Sequence, residues 1–294
     1  MKLEPECVGC LFNQISNGLR LLKPNISRKS VLEAQKKFIK TLRDIDIANK
    51  AAPALGKVVY SIVAEVVGEQ DPYQALKQKY NDLALEYYDE IRSIVENSDD
   101  PLLEAIFVAA LGNTIDFASQ HKIDLISDIK NFKKEDFVIN DYISFKESLE
   151  KTNHLLIIGD NSGEIVFDKV LITTLIRIYP ELQIIYSVRE EPVVNDATIE
   201  DAKYIGLTDL VPVIESGPIP GVDMTTSPKE FKRHFYRKGG LILSKGQGNF
   251  ECLYGMEIPD KDVYYLLKVK CTLMERIFKA KIGDLIFKKK IKDF

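Results

Sequence analysis

The stretch His154-Leu155-Leu156-Ile157-Ile158-Gly159-Asp160-Asn161-Ser162-Gly163-Glu164 decides the fold. Four consecutive aliphatic residues behind His154 stop at Gly-Asp-Asn, and an amphipathic stretch follows over residues 164–178. A short continuous apolar run bounded by turn residues marks a strand buried on both faces, and the helical pattern after it makes a strand–helix unit. The texture repeats downstream. Apolar runs at 182–188, 210–214, 240–243 and 263–269 are separated by amphipathic segments that include 198–205 and 228–237. Alternation of this kind implies βαβ units and a mostly parallel sheet. The Lys/Ile tail at 288–292 reads as a solvated end or a late strand.

Upstream of Lys151 the pattern is helical. Leu11, Ile15, Leu19 and Leu22 recur at 3.6-residue spacing behind Pro5, and Val31, Ala34, Phe38 and Leu42 do so behind Ser27 and Ser30, residues that suit N-caps. Pro53 opens a helix that Gly68 stops. Asp71 and Pro72 begin a long helix through Ile91, and Pro101 begins another through Leu111. The sequence therefore predicts an all-helical domain over 1–151 and an α/β domain over 152–294.

Composition narrows the function. Of 294 residues, 45% are hydrophobic and 29% charged, which is ordinary for a globular protein. Forty basic against 44 acidic residues leave a net charge of −4, which argues against a general nucleic-acid clamp. The longest apolar run, 105–111, is far shorter than the roughly 18 residues of a membrane span. The start, with Glu4 and Glu6, is not a secretory signal, and four cysteines are no disulfide framework, so a reducing cytoplasm is expected. The sequence carries no signal for oligomeric state.

Ligands of open α/β sheets bind beyond the carboxyl ends of the strands, so the residues just after each run matter most. Asp160, Asn161 and Asp196 converge there if the sheet is right. Two carboxylates and an amide carbonyl suit a divalent ion such as Mg²⁺ or Mn²⁺; the same Asp-Asn pair also suits a turn and helix cap. Lys245-Gly246-Gln247-Gly248 offers a point charge and a flexible backbone for a phosphate, with Ser162-Gly163 supplying further N–H groups; an ordinary glycine loop has the same look. There is no P-loop and no Gly-x-Gly-x-x-Gly after a strand. Cys7 and Cys10 form a Cys-x-x-Cys without a second pair, compatible with redox or metal use or with incidental thiols. Asn113 and Asp116 share a helix face.

Taken in order, Cys7-Val8-Gly9-Cys10, Asp71-Pro72-Tyr73, Gly112 to Phe117, Gly159 to Glu164, Asn195-Asp196, Lys245 to Glu251 and Lys270-Cys271 resemble the metal-dependent damage-control phosphatase family. The family is also called acidic-residue-methyltransferase-like and was long known as a domain of unknown function. The Cys-x-x-Cys is similar to its compact prokaryotic subfamily. The resemblance implies a helical domain joined to a Rossmann-like three-layer α/β/α domain. It implies one divalent ion (Mg, Mn, Co or Ni) on Asp160, Asn161 and Asp196, and hydrolysis of phosphate monoesters of small metabolites, sugar phosphates among them.

On that reading the metal is a Lewis acid, Lys245 stabilises phosphoryl charge, and Glu164 orients water or substrate. Water is the favoured nucleophile and Asp160 the covalent rival. Asn113, Asp116, Ser162, Gly163, Gly246, Asn249 and Glu251 are the expected substrate contacts. The alternatives from other classes are a metal- and phosphometabolite-binding protein without turnover, a docking protein using the helical half, and an adenosylmethionine-dependent carboxyl methyltransferase.

Overall fold

The computed structural model describes residues 1–112, 126, 130, 131, 133 and 136–291. Six helices come first: α1 (Pro5–Leu22), α2 (Arg28–Arg43), α3 (Ala52–Val67), α4 (Gln74–Leu85), α5 (Tyr88–Glu96) and α6 (Pro101–Gly112). Local chemistry sets their ends. Ser27 caps α2 by accepting from the Ser30 N–H at 3.0 Å. Gly68 ends α3 in the left-handed conformation that Gly tolerates without strain. The single long helix expected from Asp71 to Ile91 is two, broken at Glu86-Tyr87. The buried positions Tyr80, Ala84, Ile91 and Val95 keep one helical phase across the break, so the apolar pattern passes through it unmarked.

The remaining elements are β1 (Phe137–Asn140), α7 (Tyr142–Lys151), β2 (His154–Ile158), α8 (Glu164–Ile178), β3 (Gln183–Val188), α9 (Ile199–Tyr204), β4 (Val213–Glu215), α10 (Lys229–Phe235), β5 (Leu241–Lys245), α11 (Gln247–Leu253), β6 (Asp262–Lys268), α12 (Thr272–Phe278) and β7 (Leu285–Lys289). The seven strands form one sheet in the order β1-β7-β6-β5-β2-β3-β4. Only the β6–β7 pair is antiparallel. Mostly parallel sheets need both faces covered, and this one has them. Leu155, Ile157, Tyr186, Leu243 and Leu266 pack against α5 to α8, while Leu156, Ile158, Ile242, Tyr265 and Leu267 pack against α10 to α12. The result is a three-layer α/β/α sandwich. A third cluster, with Leu11, Ile15, Phe38, Val59 and Val63, holds α1 to α3 together.

Two differences from the sequence reading have physical causes. The stretch before Lys151 is not purely helical: β1 joins the sheet beside β7. Four residues with Val138 half exposed are too few to show a period of two. The apolar helix α6 and the helix α7 also lie on the sheet and share its core with Leu155 and Leu243, so the core runs across residue 151. The strand expected at 210–214 begins at Val213, because Leu210 and Val211 close a turn on Leu207. No helix among the described residues is long and apolar enough to cross a membrane.

Candidate active site

β2 and β5 are neighbours, but the chain leaves them in opposite directions. After β2 it runs through α8 on one face toward β3; after β5 it runs through α11 on the other toward β6. That is the switch point of the sheet, where the two outgoing loops part and leave a crevice. The loop after β2 carries Asp160, Asn161 and Ser162. The loop after β3 folds onto it: Asn161 and Asp196 are antiparallel bridge partners, Ala197 N–H donates to the Asp160 carbonyl at 2.9 Å, and Ser162 N–H donates to the Asn195 carbonyl at 2.8 Å. The three residues singled out in the sequence are thus brought together by backbone pairing.

Their side chains form a charged cluster. Asn161 Nδ2 donates to Asp160 Oδ2 at 2.8 Å and to Glu164 Oε2 at 3.2 Å. Arg189 Nε donates to Asp196 Oδ2 at 2.6 Å, and its Nη2 lies 3.6 Å from Asp160 Oδ1. Beneath the crevice, Lys245 Nζ donates to Glu164 Oε1 at 2.5 Å, Asp168 Oδ1 at 2.5 Å and the Ala109 carbonyl at 3.0 Å. Four buried carboxylates (Asp160, Glu164, Asp168, Asp196) crowd around two buried cations (Arg189, Lys245). The protonation tendencies reflect this. Burial pushes Asp196 up to about 7 against the opposing pull of Arg189 and Lys270. Burial likewise raises Glu164 and Asp168 although Lys245 opposes it. Burial works against the Lys245 ammonium, yet Asp168 and Glu164 outweigh it and hold Lys245 above its ordinary value.

A cavity of about 1210 Å³ opens above the cluster. Asp160, Asn161, Ser162, Asp196, Gln247 and Glu251 line its polar side together with Lys268 and Lys270, while Tyr60, Tyr73 and Tyr80 come from the helical side. Ser162 Oγ is buried there with no hydrogen-bond partner among the described residues. Cys7, Cys10 and Cys271 also line the cavity.

Several expected contacts lie elsewhere. Lys245 is fully buried and all three of its protons are engaged, so it holds Glu164 and Asp168 rather than facing a ligand. Lys270, half a turn of chain beyond β6, is the exposed cation on the cavity wall. The Gly163 N–H is committed to Asn81 Oδ1 at 2.6 Å. Asn249 is buried and its Nδ2 ties the Gly159 and Lys245 carbonyls. Gly246 has a φ of 75°, and a Cβ there would sit 2.0 Å from Asp160 Oδ2, so it shapes the floor under Asp160. Asn113 and Asp116 lie outside the described residues. Arg189 and Asp168 were not foreseen. Arg189 directly follows β3 and fits the strand-end rule, and Asp168 is one helical turn after Glu164.

The family model of the damage-control phosphatase ARMT1-like domain matches residues 3–286. The chain belongs to this family. A damage-control phosphatase of Pyrococcus horikoshii is 32% identical over 97% of this chain and 97% of its own length. A damage-control phosphatase of Archaeoglobus fulgidus is 29% identical over 98% and 99%. An uncharacterised protein of Methanocaldococcus jannaschii is 30% identical over 99% and 96%. The crystal structure of a DUF89 family protein from P. horikoshii superposes with a TM-score of 0.85 at 29% identity, covering 98% of each chain.

Asp160, Asn161 and Asp196 are the residues whose oxygens could together hold a divalent ion. Among the described residues no three His, Cys, Asp or Glu side chains alone are placed to hold a metal; here the third donor is the Asn161 amide. Two carboxylates and an amide carbonyl are oxygen ligands for a hard ion. With Nδ2 turned toward Asp160 and Glu164, the carbonyl oxygen is the end left for a ligand.

Proposed function

We propose that this chain is a divalent-metal-dependent phosphomonoester hydrolase acting on small phosphorylated metabolites, sugar phosphates among them. The observation that carries the reading is the cluster of four buried carboxylates at the switch point, beside a cavity with lysines on its wall. The names of the Pyrococcus and Archaeoglobus relatives support it. Asp160, Asn161 and Asp196 would hold Mg²⁺, Mn²⁺, Co²⁺ or Ni²⁺, which when bound supplies Lewis acidity toward a phosphoryl oxygen.

The chain's own residues do the rest. Lys270 takes the part expected of Lys245 and binds the phosphoryl oxygens, where it opposes the charge that builds as the P–O bond breaks. Ser162 Oγ has its hydroxyl uncommitted and donates to the same group. Glu164, held by Lys245, accepts from Asn161 and keeps that amide turned. Gln247 and Glu251, linked at 2.7 Å, receive hydroxyl groups of the ester's alcohol portion. The free thiols of all four cysteines support a cytoplasmic setting.

The test is phosphate release from a panel of sugar phosphates and an aryl phosphate. The protein is stripped with chelator and given each divalent ion in turn, with Asp160→Ala and Lys270→Met beside it. Turnover restored by metal, absent in Asp160→Ala and with a raised KM in Lys270→Met, is the expected result. Metal binding without turnover of any ester points to a binding protein instead.

A further inference from the structure

Arg189 stands at a junction that the reaction scheme above leaves unused. Its side chain is fully buried. One edge of the guanidinium faces the two acids: Nε donates to Asp196 Oδ2 at 2.6 Å, and Nη2 points toward Asp160 Oδ1 at 3.6 Å, just beyond hydrogen-bond reach. The other side is clamped. Nη1 lies within 3.3 Å of Ser216 Oγ, 3.1 Å of the Gly221 carbonyl and 3.1 Å of Asn249 Oδ1. Ser216 and Gly221 come from the loop after β4 and Asn249 from the first turn of α11, and Asn249 in turn holds the Gly159 carbonyl beside Asp160. One planar cation therefore ties together the loops that follow β2, β3 and β4 and the start of α11. Nη2 has no hydrogen-bond partner among the described residues, although it is buried.

Backbone pairing holds the two loops together, but it does not set the distance between the carboxylate heads of Asp160 and Asp196, which repel each other when both are charged. A guanidinium is a rigid fork that can set the spacing of two carboxylates; an ammonium is a single point and cannot. We propose that Arg189 is the positioning residue that fixes the gap between Asp160 and Asp196 and so presets the divalent-metal site. The assignment rests on the metal reading above. It makes Arg189 the reason the site keeps its shape before any ion arrives.

The experiment is Mn²⁺ binding to the full chain, read by loss of the free-ion paramagnetic resonance signal, for wild type, Arg189→Lys and Ser216→Ala. Circular dichroism confirms folding. Arg189→Lys keeps the charge but not the fork, and its affinity for Mn²⁺ is expected to fall by about 10- to 100-fold, the usual effect of removing a group that orients a ligand. At saturating Mn²⁺ its kcat for an aryl phosphate falls while KM stays near wild type. Ser216→Ala loosens the clamp without touching either acid and is expected to weaken Mn²⁺ by about 2- to 10-fold, the worth of one hydrogen bond. A merely structural role would lower the melting temperature and leave the folded protein's Mn²⁺ affinity unchanged. Wild-type affinity in both folded variants overturns the assignment; should Arg189→Lys fail to fold, Ser216→Ala alone decides. A folded wild-type chain that binds no Mn²⁺ overturns the metal reading itself.

Discussion

A single methyl group at Gly246 separates the site from the scaffold. The Cβ of Gly246→Ala would lie 2.0 Å from Asp160 Oδ2 and 2.3 Å from its Cγ. Non-bonded heavy atoms settle near 3.5 Å, so the carboxylate has to withdraw by about 1 Å or more. It has little room, because the Asp160 carbonyl is held by Ala197 N–H and its Oδ2 by Asn161. The substitution also places an L side chain at a φ of 75°, which costs about 1–2 kcal/mol. A displacement of about 1 Å in a catalytic constellation costs on the order of 100-fold in rate. Gly239→Ala is the control: its φ is 72°, and nothing lies within 4 Å of the new Cβ. Urea unfolding, Mn²⁺ titration and aryl-phosphate hydrolysis are measured on both. Both variants should lose about the same stability from backbone strain, while only Gly246→Ala loses metal affinity and at least about 100-fold in kcat/KM. Equal activity in the two variants refutes the claim that the close approach of this backbone sets Asp160.

Three further outcomes follow from the buried charges. Asp196 holds its proton up to about pH 7 in the fold against 3.8 for a free carboxyl, chiefly through burial. Its contribution to stability is therefore complete below pH 3.8 and is lost as pH rises through 7. The melting temperature of the chelated protein should fall between those values relative to an Asp196→Asn variant, and a difference independent of pH refutes the shift. Lys245→Met removes the cation between Glu164 and Asp168 and should cost about 3–5 kcal/mol in urea unfolding, since two buried carboxylates lose their partner; a loss below 1 kcal/mol contradicts the ion triad. Asn81→Ala strands the Gly163 N–H and Asp201 Oδ1 and should cost about 1–3 kcal/mol, with hydrogen exchange at Gly163 accelerated; unchanged exchange there contradicts the link.

The fold was legible where a residue's neighbours in sequence decide its environment. The run from His154 to Ile158 is buried on both sides, so its hydrophobicity is continuous, and strand and following helix fall where the pattern places them. β1 was not legible because what makes it a strand is β7, almost 150 residues away. The same distinction divides the site. Asp160, Asn161 and Asp196 follow strand ends, and the backbone pairing between their loops brings them together. Lys245 ends a strand and sits just before a glycine loop, which is the look of an anion-binding cation. Its direction is set by Glu164 and Asp168, two acids one turn apart on α8 across the switch point, and that geometry exists only in three dimensions. Arg189 is not legible in the sequence, because its four anchors come from three separate segments: the loop after β3, the loop after β4 and α11.

The place of β1 at the rim of the sheet has a bearing on how the chain reaches its folded state. Its one neighbour is β7, so a segment made near residue 137 waits for one made near residue 285. In the interval Phe137 has no Phe287 to lean on, and the apolar helix α6 lacks part of its cover. Pairings of such long sequence separation form slowly. A chain halted after β6 would carry a sheet lacking its seventh strand and an orphaned first one, with aromatic surface open to association. The pairing that closes this edge of the sheet is therefore available only once the C-terminal strand has been made.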